Sequence, residues 1–423
     1  MESDEHESAV RATLARAHGA RGARPSPRRR LWRPAAFITV VGMLVGVAVA
    51  ETTQPTVRDP RGNCVPVGTW LEPGGRRTDA AMLTAALAGS SVVLLGEEHD
   101  SAEHHRWQLQ MLAALHARKP DLVIGFEMFP RRVQPALDRW VAGELTEAQF
   151  LRETEWRKVW TYDPQLYLPL FHFARMNAIP MVALNIEPTL TRAVSEKGFD
   201  AVAEAQRDGV SRPAPGQSAY RDALRGAYRA HERKASGDPA ADERAFDRFV
   251  DSQLTWDRAM AQALEAALRR NPGALAVGIV GQGHVVNGWG IPHQLADLGV
   301  KGVKWLLPWD RDDDCGRLVP GYAHAVFGVA ATKEEAQRPR LGVSMDAAVD
   351  GVLIAGVVGG SVAEMAGLRS GDLITEIGGR PARSLDDVRV AVRGAGAGTW
   401  LPMRVRRDGA ALDLVAKFPP GAP

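Results

Sequence analysis

The chain has 423 residues, 45% of them hydrophobic and 24% charged, with a formal net charge of +2. That length exceeds one average domain, so two or more are expected, and the composition excludes a disordered or fibrous chain. Residues 1–50 hold eight arginines against four acids, a surplus of +4, which leaves about −2 on residues 51–423. The basic excess is therefore N-terminal, and no basic patch argues for nucleic acid.

In that N-terminal stretch Arg28, Arg29, Arg30 and Arg33 precede an apolar run from Pro34 to Ala50, which closes on Ala48-Val49-Ala50. A positive flank, a short apolar core and a small-x-small site are the ingredients of a cleavable signal peptide over residues 1–50. The run is short for a spanning helix, although an uncleaved signal anchor is the one route it leaves to a membrane. Export to the periplasm or cell envelope is the expectation. No cysteine follows the apolar core, which speaks against a lipid anchor. The two cysteines, Cys64 and Cys315, sit near the ends of the first large domain. In an oxidising compartment they read as a disulfide in preference to two buried thiols.

Residues 51–63 are polar and read as a linker, followed by a domain over 64–325. A helical pattern spans 78–87. The apolar run 91–95 then ends in Gly96-Glu97-Glu98-His99, and Asp100 with Glu103 offers a capping box for a helix continuing through Leu109, Leu112 and His116. A second strand-like run, 122–127, ends in Glu127. Helices are predicted over 133–141, 146–154 and 164–177, beyond Trp156 and Trp160. A third strand, 180–185, ends in Asn185, and residues 211–217 read as a loop.

A long helix is predicted over 242–270. Phe246, Val250, Gln253, Asp257, Met260 and Leu264 follow spacings of four and three, which is one buried face. A buried carboxylate needs a partner. For Asp257 that is an arginine, emergence into solvent, or a place in a site. The strand 276–280 leads to Gly281-Gln282-Gly283-His284, and 303–307 reads as a final strand.

Apolar strands alternating with helices predict an α/β fold, a mainly parallel sheet with helices on both faces and helical insertions. In such sheets ligands bind outside the carboxyl ends of the strands. Four strands end in Glu97 with His99, in Glu127, in Asn185 and in His284, which implies one convergent polar pocket. Glu98 is read as pointing to solvent. Of His104 and His105 one is read as exposed, with His105 within reach of the pocket.

Residues 326–339 read as a second linker, and 340–420 as a small, mostly β domain. Ser384 and Asp387 form a capping-box pattern, and Arg407-Asp408-Gly409 marks a hairpin turn. Leu341-Gly342-Val343, the stretch from Gly360 to Leu368, and Gly371-Asp372-Leu373-Ile374 resemble a PDZ domain of exported bacterial proteins. The resemblance implies that Leu341, Gly342 and Val343 hold a peptide carboxylate, with Leu385, Val388 and Val392 lining the groove. A docking module that binds no free peptide is the other reading.

Gly96-Glu97-Glu98-His99, Phe126-Glu127, Ala183-Leu184-Asn185, Gln253 with Asp257, and Gly281 to His284 occur in order. Together with Gln134-Pro135-Ala136-Leu137 and the Gly288 to Pro292 segment, they resemble the ChaN family, haem-binding and iron-uptake-associated proteins of the Tiki superfamily. The resemblance implies a binding protein for haem or an iron complex, with Asn185, Gln253, Asp257 and His105 facing the ligand. A haem ligand could come from Tyr162, Tyr167, Tyr220 or Tyr228. The alternative is a metal-dependent hydrolase or peptidase. There His99, His284, Glu97 and Glu127 hold a divalent cation, or act as catalytic acid and base without one.

Overall fold

The computed structural model describes residues 64–231, 238–311, 313–330, 340–396 and 398–420. The signal peptide read at 1–50 and the linker at 51–63 lie outside the described residues, as does most of the linker at 326–339. The chain divides after residue 331 into two compact units.

In the first unit the elements are β1 (Trp70–Glu72), β2 (Arg76–Thr78), α1 (Ala80–Ala88), β3 (Val92–Glu97), α2 (Ala102–His116) and β4 (Leu122–Pro130). The insertion α3 (Gln134–Val141), α4 (Glu147–Glu153), α5 (Trp156–Val159) and α6 (Pro164–Met176) leads to β5 (Met181–Asn185). After α7 (Pro188–Lys197), α8 (Ser218–His231) and α9 (Pro239–Arg270) come β6 (Leu275–Gly281), α10 (Ile291–Asp297), β7 (Val303–Trp309) and β8 (Ala325–Gly328).

The sheet runs β2-β1-β8-β7-β3-β6-β4-β5. Its six strands from β8 to β5 are parallel, and the β1–β2 hairpin is antiparallel to β8. This is the mainly parallel sheet with helices on both faces that the strand–helix alternation predicts. Alternation along β3 sends Val93 and Leu95 into a core with Trp107 and Leu112 of α2 and Phe171 of α6. Val92 and Leu94 enter the opposite core with Trp256, Met260 and Leu264 of α9. With both faces buried, every residue of β3 is buried, which explains its unbroken apolar run.

Three features differ from the sequence expectation. The cap of α2 is Ser101, whose hydroxyl accepts from His104 N–H at 3.4 Å, one residue after Asp100. β7 is not the last strand, because the four-residue β8 follows it, and the three-residue β1 and β2 also join the sheet. Strands that short carry too few alternations to be read. Cys64, just before β1, is disulfide-bonded to Cys315, beyond β7, with Cα atoms 5.8 Å apart.

Among the described residues the second unit is an antiparallel sheet with two helices. Its elements are β9 (Val343–Ala348), β10 (Gly351–Val357), α11 (Val362–Met365), β11 (Leu373–Ile377), β12 (Arg380–Pro381), α12 (Leu385–Gly394), β13 (Trp400–Arg407) and β14 (Ala410–Lys417). The order is β14-β13-β11-β10-β9, with β12 beside β11. Ser384 and Asp387 cap α12 reciprocally, as their spacing predicts. Asp408 and Gly409 both have left-handed backbone, the geometry of a two-residue hairpin turn. Leu341, Val388 and Val392 are buried in this unit's core, while Val343, Met345 and Leu385 are partly buried against it.

Candidate functional site

β3 and β6 are neighbours in register, with Glu97 opposite Gly281, so the two Gly-x-x-His segments leave the sheet side by side. Gly96 is required by space, since a Cβ there would meet the side chains of Leu307 and Val285. Two groups of buried contacts follow, one around Glu97 and one around His284.

In the first set the Glu97 carboxylate hydrogen-bonds Nδ1 of His99. His105 Nε2 donates to the His99 carbonyl at 3.2 Å and lies 3.8 Å from Glu97. The Tyr167 hydroxyl donates to the same carbonyl at 3.2 Å and approaches Glu97 at 3.4 Å. Burial lowers the His105 pKa, with Glu97 pulling the other way.

The second set hangs on α9. His284 Nδ1 donates to Asp257 Oδ1 at 2.6 Å, and its Nε2 lies 3.5 Å from Glu127 Oε1. Glu127 Oε2 accepts from Gly281 N–H at 2.6 Å, Asp257 Oδ2 accepts from Tyr220 at 3.0 Å, and the Gln253 amide lies 3.3 Å from His284. Burial raises the Asp257 pKa against the pull of His284, and burial with Asp257 pushes Tyr220 well above the ordinary phenol value. The stripe Phe246, Val250, Gln253, Asp257, Met260 and Leu264 is buried throughout. Asp257 therefore has neither an arginine nor solvent as its partner. Gly290 packs so closely here that a Cβ would meet the His284 carbonyl and the Asp257 carboxylate.

Strand alternation explains the separation. Glu97 shares the face of Val93 and Leu95, whereas Glu127 shares that of Val123, under α9. Glu97 and Glu127 thus leave opposite faces at the carboxyl end of the sheet, Glu97 beside His99 and Glu127 beside His284.

A third cluster was not singled out by the sequence pattern. Glu98, His104 and Asp310 bring ligand atoms within 4.8 Å of one another, the one such group among the described residues. Both His104 and His105 are buried, and Glu98 is half-buried, accepting from Gln282 at 2.8 Å. The Glu98 backbone N–H donates to His104 Nδ1 at 2.9 Å, so the ring carries its proton on Nε2 and donates it to Asp310 at 3.0 Å. A cation on Nε2 would need that lone pair and a proton on Nδ1, facing another donor. The hydrogen bonding therefore favours a clamp between the ends of β3 and β7 over a metal centre.

A cavity of about 590 Å³ opens at the carboxyl ends of β4 and β5. Trp160, Trp256, Phe249, Tyr228 and Met128 give it apolar walls. Arg132, Lys158 and Arg192 outnumber Glu187 among its charged lining residues. Arg132 is held by Glu187 at 2.6 Å and Glu155 at 3.0 Å. Of the predicted site residues Asn185 lines the cavity, its amide donating to the Glu127 carbonyl at 2.9 Å. Gln253, Asp257, His105 and the two acid–imidazole pairs do not line it. Two indoles stand between. Trp160 packs edge-on to His99 at 4.6 Å between centroids, and Trp256 to His284 at 4.7 Å. The basic residues of the lining carry no spacing signal, and its tryptophans read equally well as core.

Residues 83–295, half of the chain, match the family model described as haem-binding uptake, Tiki superfamily, ChaN. The chain belongs to the ChaN family. Residues 339–417 match the PDZ domain model, so this ChaN protein carries a PDZ domain as its second unit. Among solved structures, ChaN of Campylobacter jejuni with cofacially bound haem is 16% identical, with 61% of this chain and 95% of that chain covered and a TM-score of 0.46. The HtrA-type protease AlgW with a decapeptide is 26% identical over 20% of this chain and 30% of its own, with a TM-score of 0.19. The HtrA3 PDZ domain bound to a phage-derived ligand is 22% identical over 18% of this chain and 82% of its own, with a TM-score of 0.17. No curated protein matches the chain.

Proposed function

We propose that this ChaN-family chain is an exported haem carrier that holds its cargo in the cavity between Trp160 and Trp256 and is docked to a partner by its PDZ domain. The cavity lining carries the reading. A flat, largely apolar macrocycle with two carboxylates suits indole and phenyl walls beside Arg132, Lys158 and Arg192. Among the lining side chains only Met128 and Tyr228 are of the types that ligate haem iron. Tyr228 is assigned that role, because a phenolate oxygen suits ferric iron better than a thioether. Tyr167 and Tyr220 are fully buried and engaged with Glu97 and Asp257, which removes them from contention.

Export is supported by the N-terminal sequence pattern and by the disulfide, which suits an oxidising compartment. The hydrolase alternative requires Glu97, His99, Glu127 and His284 to share a metal or face a substrate. None of the four lines the cavity, which weighs against it.

Haemin titration of the purified protein tests the reading. A saturable Soret shift is expected, with Tyr228→Phe changing the ligand-field bands and Trp160→Ala with Trp256→Ala weakening affinity at least tenfold. A spectrum identical to free haemin at every ratio would overturn it.

A further inference from the structure

Arg131 and Arg132 leave β4 together in one tight turn, and there their side chains part. Arg131 turns to the backbone, its Nη2 donating to the Ala259 carbonyl at 3.0 Å. Arg132 lines the cavity. Its Nε meets Glu187 Oε1 at 2.6 Å and its Nη2 meets Glu155 Oε2 at 3.0 Å, and the two contacts hold the guanidinium plane. Nη1 has no partner among the described residues. A guanidinium bound along one edge keeps donors on the next, where a further carboxylate makes charge-assisted hydrogen bonds.

Both glutamates hold Arg132 at the expense of local preference. Glu187 is the cap residue of α7, yet its side chain makes no capping hydrogen bond. Glu155 precedes α5 with φ +50°, left-handed backbone that is unfavourable for a residue with a Cβ. From there it also holds Lys158 at 3.1 Å. Two positions further on, Trp160 lines the same cavity and is 3% exposed, and its buried Nε1–H has no acceptor among the described residues. A buried donor of that kind is unfavourable until an acceptor reaches it, and an oxygen of a molecule seated in the cavity supplies one.

We propose that the cavity selects its cargo by a free carboxylate, whose oxygens accept from Arg132 Nη1 and Trp160 Nε1, with Glu155 and Glu187 as positioning residues for the guanidinium. This selection rests on the carrier reading above and adds to it the group by which cargo is recognised. For haem that group is one of its two carboxylates. Esterification removes its charge and leaves iron and ring as they were.

The test compares haemin with haemin dimethyl ester by Soret titration of the full chain. The ester is expected to bind about tenfold more weakly, the scale of hydrogen bonds to a charged group. In Arg132→Gln the advantage of haemin over the ester should shrink about fivefold, and in Trp160→Phe, which keeps an aromatic wall and removes the N–H, about threefold. Equal binding of haemin and ester to the parent protein would overturn the carboxylate selection and leave the carrier reading standing. An advantage unchanged in both variants would overturn Arg132 and Trp160 as the donors. No Soret shift with either compound would overturn the carrier reading, and this selection with it.

Discussion

Asp257 Oδ1 and His284 Nδ1 meet at 2.6 Å, and neither side chain reaches solvent. The contact fixes which nitrogen of the ring carries a proton, and it joins α9 to the turn that follows β6. Asp257→Ala leaves a buried imidazole facing a void and is expected to destabilise the first unit by about 3–5 kcal/mol. Asp257→Asn keeps an acceptor in place and should cost less, about 1–2 kcal/mol. Urea unfolding followed by tryptophan fluorescence measures both. Equal losses would show that the contact acts through packing alone.

Gly290 presses on the same pair, because its Cβ position is taken by the His284 carbonyl and the Asp257 carboxylate. Gly290→Ala should therefore destabilise by about 1–3 kcal/mol through overpacking. A melting temperature unchanged from the parent protein would refute the close approach.

The disulfide closes a loop of 251 positions in sequence. Cys64→Ser with Cys315→Ser is expected to cost about 2–5 kcal/mol, chiefly by restoring freedom to the unfolded chain. Thermal melts with and without reductant should coincide for the double variant and differ for the parent. Parent melts that coincide would show that the bond contributes nothing.

His324 packs edge-on to Trp305 at 4.2 Å between centroids, and its Nδ1 accepts from the Trp305 N–H at 3.2 Å. Burial, with Lys304 nearby, lowers its pKa to about 4. The unfolded ring titrates near 6.5, so between these values the unfolded chain holds more protons than the folded one. Stability contributed by the neutral ring is full above about pH 6.5 and is lost as pH falls towards 4. Because the ring is only half-buried, the loss is set at about 1–2 kcal/mol. His324→Gln should flatten urea stability across that window, and an unchanged pH slope would remove His324 as the cause.

The long helix was legible because Phe246, Val250, Gln253, Asp257, Met260 and Leu264 keep a helical period, and one helix face has one fate. The strands were legible because both faces of the sheet are covered, which leaves runs such as Val92 to Leu95 unbroken by polar residues. The placement of the acidic side chains was not. Glu97 closes β3, whereas β4 runs on past Glu127 to Pro130, and the sides of the sheet the two carboxylates take depend on the register between β3, β6 and β4, which no single strand encodes. His104 was beyond reach for a related reason, since its partner Asp310 lies 206 positions away. The cavity is assembled from strand ends, loops and the helices α7, α8 and α9, so although Ala245, Phe249, Ser252 and Trp256 keep a helical period on α9, nothing in that period brings Lys158 and Arg192 beside them.

The indoles of Trp160 and Trp256 give the first unit two tiers at one edge of its sheet. Side chains in front of them face the cavity, and those behind them, such as Asp257 with His284, are buried in the protein. Substitutions in the front tier can therefore reshape the cavity at little cost to stability. A change in the rear tier leaves a buried polar group to be satisfied. Such a partition separates the residues that shape the cavity from those that hold the scaffold together.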